Sequence, residues 1–183
     1  MSTVRTDEHA PRVFVSCLEC YNAGRLIGDW YEASEAGDLT PTQVHHRPIH
    51  ANTHEELWCL DFENIPVRYE MSPMDAAKWG ELYDDLDDDA EWPALCAWVR
   101  SGDYVAEGNT DLPCLSDFRD RYFGVWDTLR DYLIDYVDST GMLADVPEEV
   151  ARYFDYEAYE RDLQGDFTTE PAGPGQVYIF QSY

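Results

Sequence analysis

The side chains of this sequence that could do chemistry are carboxylates, thiols and imidazoles. The densest group is the run Asp84-Asp85-Leu86-Asp87-Asp88-Asp89-Ala90-Glu91, which could ligate a hard cation such as calcium. It lacks the glycine at position six that an EF-hand loop needs for its sharp turn, and its donor spacing is wrong. Weak, adventitious cation binding is expected there, and no dedicated site. The second group is Cys17-Leu18-Glu19-Cys20, a C-x-x-C pair followed by His45, His46, His50 and His54. Zinc needs two further ligands converging on such a pair. No second C-x-x-C exists, and Pro48 keeps the histidines from lining one helical face. Cys17 also ends a strand-like segment, where a small buried hydrophobe is the common role. The residues are therefore read as structural or incidental, with no metal and no cofactor expected.

Catalytic signatures are missing as well. The chain has no G-x-S-x-G, no phosphate-binding P-loop, no dinucleotide glycine pattern and no H-E-x-x-H. Carboxylate pairs occur throughout, but 38 acids in 183 residues produce them by chance. No pair can be promoted to an acid–base couple without a cleft to hold it. The expectation is a protein that is not an enzyme.

The acids matter more as a field than as pairs. Against 38 Asp and Glu stand 12 Lys and Arg, with Lys78 the only lysine, for a formal charge of −26. DNA, RNA and anionic membrane surfaces would repel such a chain, because binding them needs a basic footprint. Basic protein surfaces and cations remain as partners. At one charge per about 1.7 Å of duplex axis, 26 charges correspond to roughly 44 Å of DNA, or about 13 base pairs. A compact chain of this length has a diameter of about 40 Å, so it can match duplex charge density along its length. Halophilic enzymes share an acidic, lysine-poor composition. Here, however, 44% of residues are apolar and 14% aromatic, and the acids crowd between Glu81 and Asp138. An acidic module that binds another basic, DNA-binding protein is the other alternative.

These carboxylates need elements to carry them. Arg12–Cys17 reads as a strand, residues 28–33 as a second and Leu57–Phe62 as a third. Thr40-Pro41 opens a short helix through Val44. Ser72-Pro73 opens a longer one, with Trp79, Leu82, Tyr83 and Leu86 on one face and Glu81, Asp84, Asp85 and Asp88 off it. Residues 91–100 predict another helix. Asp127 is expected to cap the best amphipathic helix, whose stripe is Leu129, Tyr132, Leu133, Tyr136 and Val137 and whose stop is Gly141. Pro147 is expected to open a helix through Phe154, Asp155 one to Leu163, and Gln176–Phe180 a closing strand. The fold class is α+β, an elongated chain of three small domains. They are an N-terminal α/β unit with a short sheet (1–66), a central helical unit (67–108) and a C-terminal unit of helices with a short sheet (109–183). Residues 1–11 are polar, without the apolar core of a signal peptide, and no apolar run could span a bilayer. Five scattered cysteines (Cys17, Cys20, Cys59, Cys96, Cys114) suit a reducing cytoplasm.

Four segments resemble the ArdA antirestriction family. RVFVSCLECYNAGRLIGDW (12–30) is similar to its opening signature, a strand followed by L-x-x-Y-N-x-G-x-L-x-G-x-W, with Leu18, Tyr21, Asn22, Gly24, Leu26, Gly28 and Trp30 in place. HEELWCLDFENIP (54–66) resembles its second strand, and FRDRYFGVWDTLRDYLIDYVDSTGML (118–143) the stretch associated with antirestriction. VPEEVARYFDYEAYERDL (146–163) is similar to its late motif. Residues 34–53, with their histidines, match less closely, and a Gly-rich loop at 165–175 replaces the usual residues. The resemblance implies a dimeric imitation of bent B-form DNA that occupies the DNA groove of type I restriction-modification enzymes and shields an incoming plasmid or transposon. On that reading the mimic surface is Asp84, Asp85, Asp88, Asp103, Asp111, Asp131, Asp135 and Asp138. The dimer contact is expected near Phe118, Tyr122 and Trp126, with monomer core as the open alternative for these aromatics.

Overall fold

Alternation sets the first strand, β1 (Arg12–Cys17). Val13, Val15 and Cys17 are wholly buried, while Arg12 and Phe14 between them keep some exposure. A computed structural model of the protein describes residues 8–49, 54–67, 69–108 and 110–183, so His50 lies outside the described residues. β1 is the middle strand of an antiparallel sheet, between β2 (Gly28–Glu32) and β3 (Leu57–Glu63). The short helix α1 (Leu18–Asn22) leaves the end of β1 directly. A 3-10 turn (Ala33–Asp38) follows β2, and then comes α2 (Pro41–Val44). There Thr40 accepts the Gln43 amide at 3.4 Å and the Gln43 side chain accepts the Thr40 amide at 2.8 Å, a reciprocal capping box.

The central helices are interior elements. α3 (Pro73–Asp84) starts at Ser72, whose hydroxyl accepts the Asp75 amide at 3.1 Å. It packs so closely on the 3-10 turn that a Cβ on Gly80 would fall 2.1 Å from the Ser34 nitrogen. Only glycine fits there. α4 (Trp92–Ser101) buries Trp92 and every residue from Ala94 to Val99, and ends at Gly102 in the left-handed region (φ 79°).

A second antiparallel sheet, ordered β4-β6-β5, closes the chain. It comprises β4 (Tyr122–Trp126), β5 (Phe167–Gly173) and β6 (Gln176–Gln181), with α5 (Leu115–Arg121) leading into β4. Between β4 and β5 run α6 (Leu129–Ser139), α7 (Glu148–Ala151) and α8 (Tyr156–Leu163). Three expectations need correction here. Residues 165–175 are not a glycine-rich loop: β5 fills most of them, as an edge strand where Pro171 loses no ladder bond on its open side. The helix opened at Pro147 stops at Ala151, because the chain turns to set Phe154 edge-to-face with Tyr156 and Tyr159, 4.8 and 5.4 Å between ring centroids. The cap of α6 is Thr128, not Asp127.

Two apolar clusters hold these parts. The larger runs from Ala10 and β1 through α3 and α4 to Phe118 and Phe180, with Trp98 ring-packed against both phenylalanines at 5.8 and 6.2 Å. The smaller joins Leu129, Tyr132 and Leu133 of α6 to Ile179 of β6. Helices with two small antiparallel sheets make the fold α+β, as the pattern predicted. Among the described residues, no helix is long and apolar enough to cross a membrane.

Candidate functional site

α6 carries the clearest acidic face. The Thr128 hydroxyl accepts the Asp131 amide at 3.1 Å and donates to the Asp131 carboxylate at 2.5 Å, which fixes the first turn. At the other end, the Met142 amide bonds the Val137 carbonyl and the Gly141 amide bonds that of Asp138, both in the Schellman pattern. Gly141 adopts φ 65°, as its expected role requires. Between these caps Leu129, Tyr132, Leu133 and Val137 are buried, while Asp131, Asp135 and Asp138 are exposed. Their spacing of four and then three residues aligns them on one stripe, which spans about 10.5 Å at 1.5 Å per residue. One DNA strand carries a phosphate every 3.4 Å of axis, so about four phosphates span the same length. The stripe, with one charge per about 5 Å, therefore carries roughly two-thirds of the linear charge density of a single phosphate strand.

The remaining expected acids divide. Asp84, Asp85 and Asp88 are all exposed, gathered where α3 ends and the chain turns toward α4. Asp88 accepts the Ala90 amide at 2.9 Å, which orders that turn. Asp103 is only partly exposed and accepts the Thr168 hydroxyl at 2.6 Å. Asp111 is exposed and accepts the Tyr69 hydroxyl, whose own ionisation is pushed up by burial and by that bond. Both are tied to distant parts of the chain, whereas the Asp131 carboxylate accepts from the cap of its own helix.

The aromatics expected at a dimer contact lie at different depths. Phe118 is wholly buried, stacked between Tyr122 and the larger cluster. Tyr122 is half-buried against Phe118 and Phe180, and burial pushes its hydroxyl up to about 12. Trp126 keeps part of its ring exposed while its indole nitrogen donates to the Phe123 carbonyl at 2.8 Å.

Several of the 12 lysines and arginines pair with acids of the same chain. Arg12 faces Glu32 and Glu63, Lys78 faces Asp75, Arg119 faces Asp87, Arg130 faces Glu160 and Arg152 faces Glu148. Exposed pairs of this kind add little stability. Their effect is to scatter the positive charge, although Arg130 brings one cation to the edge of the acidic stripe, beside Asp131.

One arrangement was not expected. Cys17, at the end of β1, and Cys20, in α1, meet His45 at the end of α2 and His54 just before β3. Their ligand atoms all lie within 4.8 Å of one another, and both cysteines and His45 are buried. The Cys17 sulfur stands 3.3 Å from His54 Nδ1, and the Cys20 sulfur 3.6 Å from that atom and 4.0 Å from His45 Nε2. The expectation of scattered, incidental histidines fails because convergence never needed a shared helical face. His45 and His54 arrive on separate segments and meet at the end of β1. Burial pushes the Cys17 thiol up, with the neighbouring Cys20 adding to it, and pushes His45 down.

No curated protein matches the chain. A model of the antirestriction protein (ArdA) family matches residues 13–177, which takes in the first sheet from Val13 on, the acidic helix and the cysteine–histidine cluster, and ends at the start of β6. On that match, which spans nearly the whole chain, the protein belongs to the ArdA family of antirestriction proteins.

Proposed function

We propose that the chain acts as a protein imitation of B-form DNA and occupies the DNA-binding groove of a type I restriction-modification enzyme, protecting incoming mobile DNA. The observation that carries this reading is the α6 stripe, where Asp131, Asp135 and Asp138 repeat about every 5 Å, roughly two-thirds of the charge density of one phosphate strand. The acids at Asp84, Asp85 and Asp88 extend the negative surface. No bond need form or break. Lysines and arginines that line a DNA groove respond to the field, and a carboxylate stripe supplies that field as a phosphate row does. Steering by −26 net charges speeds the encounter and loses force as salt rises. Asp103 and Asp111 contribute charge from fixed positions, held by Thr168 and Tyr69.

The working unit is proposed to be a homodimer joined through the partly exposed edges of Tyr122 and Trp126, with Phe118 supporting them from inside. Sedimentation of a Tyr122→Asp/Trp126→Asp chain should show a folded monomer; an unchanged dimer removes that contact. The functional reading is tested by competition. A type I enzyme bound to a labelled duplex is titrated with the protein, and displacement of the duplex at low salt is expected. Asp131→Asn, Asp135→Asn and Asp138→Asn combined should weaken displacement by roughly tenfold, taking a few tenths to one kcal/mol for each exposed charge. A wild-type chain that never displaces the duplex would overturn the proposal.

A further inference from the structure

The sheet that carries no acidic stripe holds the cluster of Cys17, Cys20, His45 and His54, which mimicry does not use. We propose that these four side chains bind one zinc ion in a closed, tetrahedral site with two sulfur and two nitrogen ligands.

Three observations support the site. The first is size. Zinc–sulfur bonds of about 2.3 Å and zinc–nitrogen bonds of about 2.0–2.1 Å put tetrahedral ligands roughly 3.3 to 3.8 Å apart. The contacts of 3.3, 3.6 and 4.0 Å bracket that range, and every pair lies within 4.8 Å, so shifts on the order of 1 Å or less in the wider pairs bring the four atoms to tetrahedral separations. The second is hydrogen-bond accounting. Both thiols point at the same atom, His54 Nδ1, which has one in-plane lone pair and can satisfy only one of them. His45 Nδ1 is buried without a hydrogen-bond partner, so among the described residues no bond outside the cluster orients that ring. A cation accepts a lone pair from all four groups at once, which hydrogen bonds cannot do.

The third is the surroundings of the sulfurs. An Arg25 nitrogen lies 3.9 Å from the Cys20 sulfur, where its charge can offset that of a zinc-bound sulfur. Two thiolates balance the charge of Zn²⁺, and their two protons pass to solvent as the ion binds. Two soft sulfurs with two imidazoles suit zinc better than calcium or magnesium. With four protein ligands no position is left for water or substrate, so the role is structural. The ion ties the end of β1, which the sheet already pairs with the start of β3, to α2, whose His45 ring stands edge-on to that of His54 with 5.0 Å between centroids.

The test uses the full-length chain. Protein made in zinc-supplemented medium should carry about one zinc ion per chain by elemental analysis. Chelator-stripped wild type titrated with cobalt(II) should reach saturation at one equivalent, with thiolate-to-metal charge-transfer absorption and the intense visible bands of a tetrahedral centre. Cys17→Ser and Cys20→Ser should each abolish that spectrum, while Cys96→Ser and Cys114→Ser leave it unchanged. Should a ligand variant fail to fold, alkylation of wild type gives the same answer. Zinc should shield Cys17 and Cys20 and chelation should expose them, with Cys114 reacting in both states. Protein with only trace metal and no charge-transfer band overturns the site. So does a Cys17–Cys20 disulfide in protein purified without oxidant, or a metal content that survives Cys17→Ser in folded protein.

Discussion

Helices α3 and α6 both begin at a hydroxyl cap, Ser72 in one and Thr128 in the other, with an aspartate three residues on. Beyond the first turn they diverge. α3 buries Ala76, Ala77, Trp79, Gly80 and Tyr83, is pressed against backbone at Gly80, and shows its acids mainly at its C-terminal end. α6 packs by one side only, leaving Asp131, Asp135 and Asp138 open at successive turns. A row of carboxylates approaching phosphate density needs a helix with a free face, and a helix wedged between neighbours cannot offer one. Stability and recognition are thereby assigned to different helices.

The division can be broken from the α3 side first. Trp79→Ala should cost about 4 kcal/mol, because a nearly buried indole leaves a cavity that backbone-packed neighbours cannot fill. The check is the shift of the urea midpoint at constant slope; a loss below 1 kcal/mol would mean that α3 is not the interior element described. The caps come next. Thr128→Ala should cost about 1 kcal/mol, and Ser72→Ala about the same, since each leaves an amide unsatisfied. If α6 is held mainly by its own ends, Thr128→Ala should also weaken enzyme binding, whereas Ser72→Ala should not.

A smaller effect depends on pH. Asp75 accepts bonds from Lys78 at 2.8 Å and Ser72 at 2.7 Å, and these hold its carboxyl below the usual range. A lowered folded value contributes stability above the unfolded carboxylate pKa, and that contribution is lost as pH falls through the folded one. Lys78→Met should therefore reduce stability at about pH 5 and converge on wild type below about pH 3. A gap of constant size across that range would contradict the assignment. Smallest of all is Asp135→Asn, expected to change stability by less than about 0.5 kcal/mol. It should also leave inhibition almost intact, because the field is shared. Abolished inhibition from this one change would replace the distributed face with a single contact.

How legible each part was in the sequence follows from the range of the forces involved. Thr40-Pro41, Ser72-Pro73, Asp155 and Gly141 act within one turn, so their roles could be read directly. Asp127 was mistaken for the cap because both it and Thr128 are capping types, and only the backbone angle at Thr128 (ψ 164°) separates them. β5 was hidden by Pro171 and Gly173, which signal a loop unless the strand is known to lie at an edge. β4 carries Gly124 in the left-handed region inside a register shift, another feature without a local signal. The α6 stripe could be read from periodicity alone. The cysteine–histidine cluster could not, because its members sit on or beside four elements, β1, α1, α2 and β3, that come together only in the folded chain.

The central claim is that carboxylates stand in for phosphates, and the salt dependence of binding tests it most directly. Affinity of the protein for a type I enzyme, measured from about 50 to 200 mM salt alongside that of duplex DNA, should fall steeply for both. The combined Asp131→Asn, Asp135→Asn, Asp138→Asn chain should show a visibly shallower slope. An affinity that does not change with salt, or a variant whose slope equals that of wild type, would contradict the account.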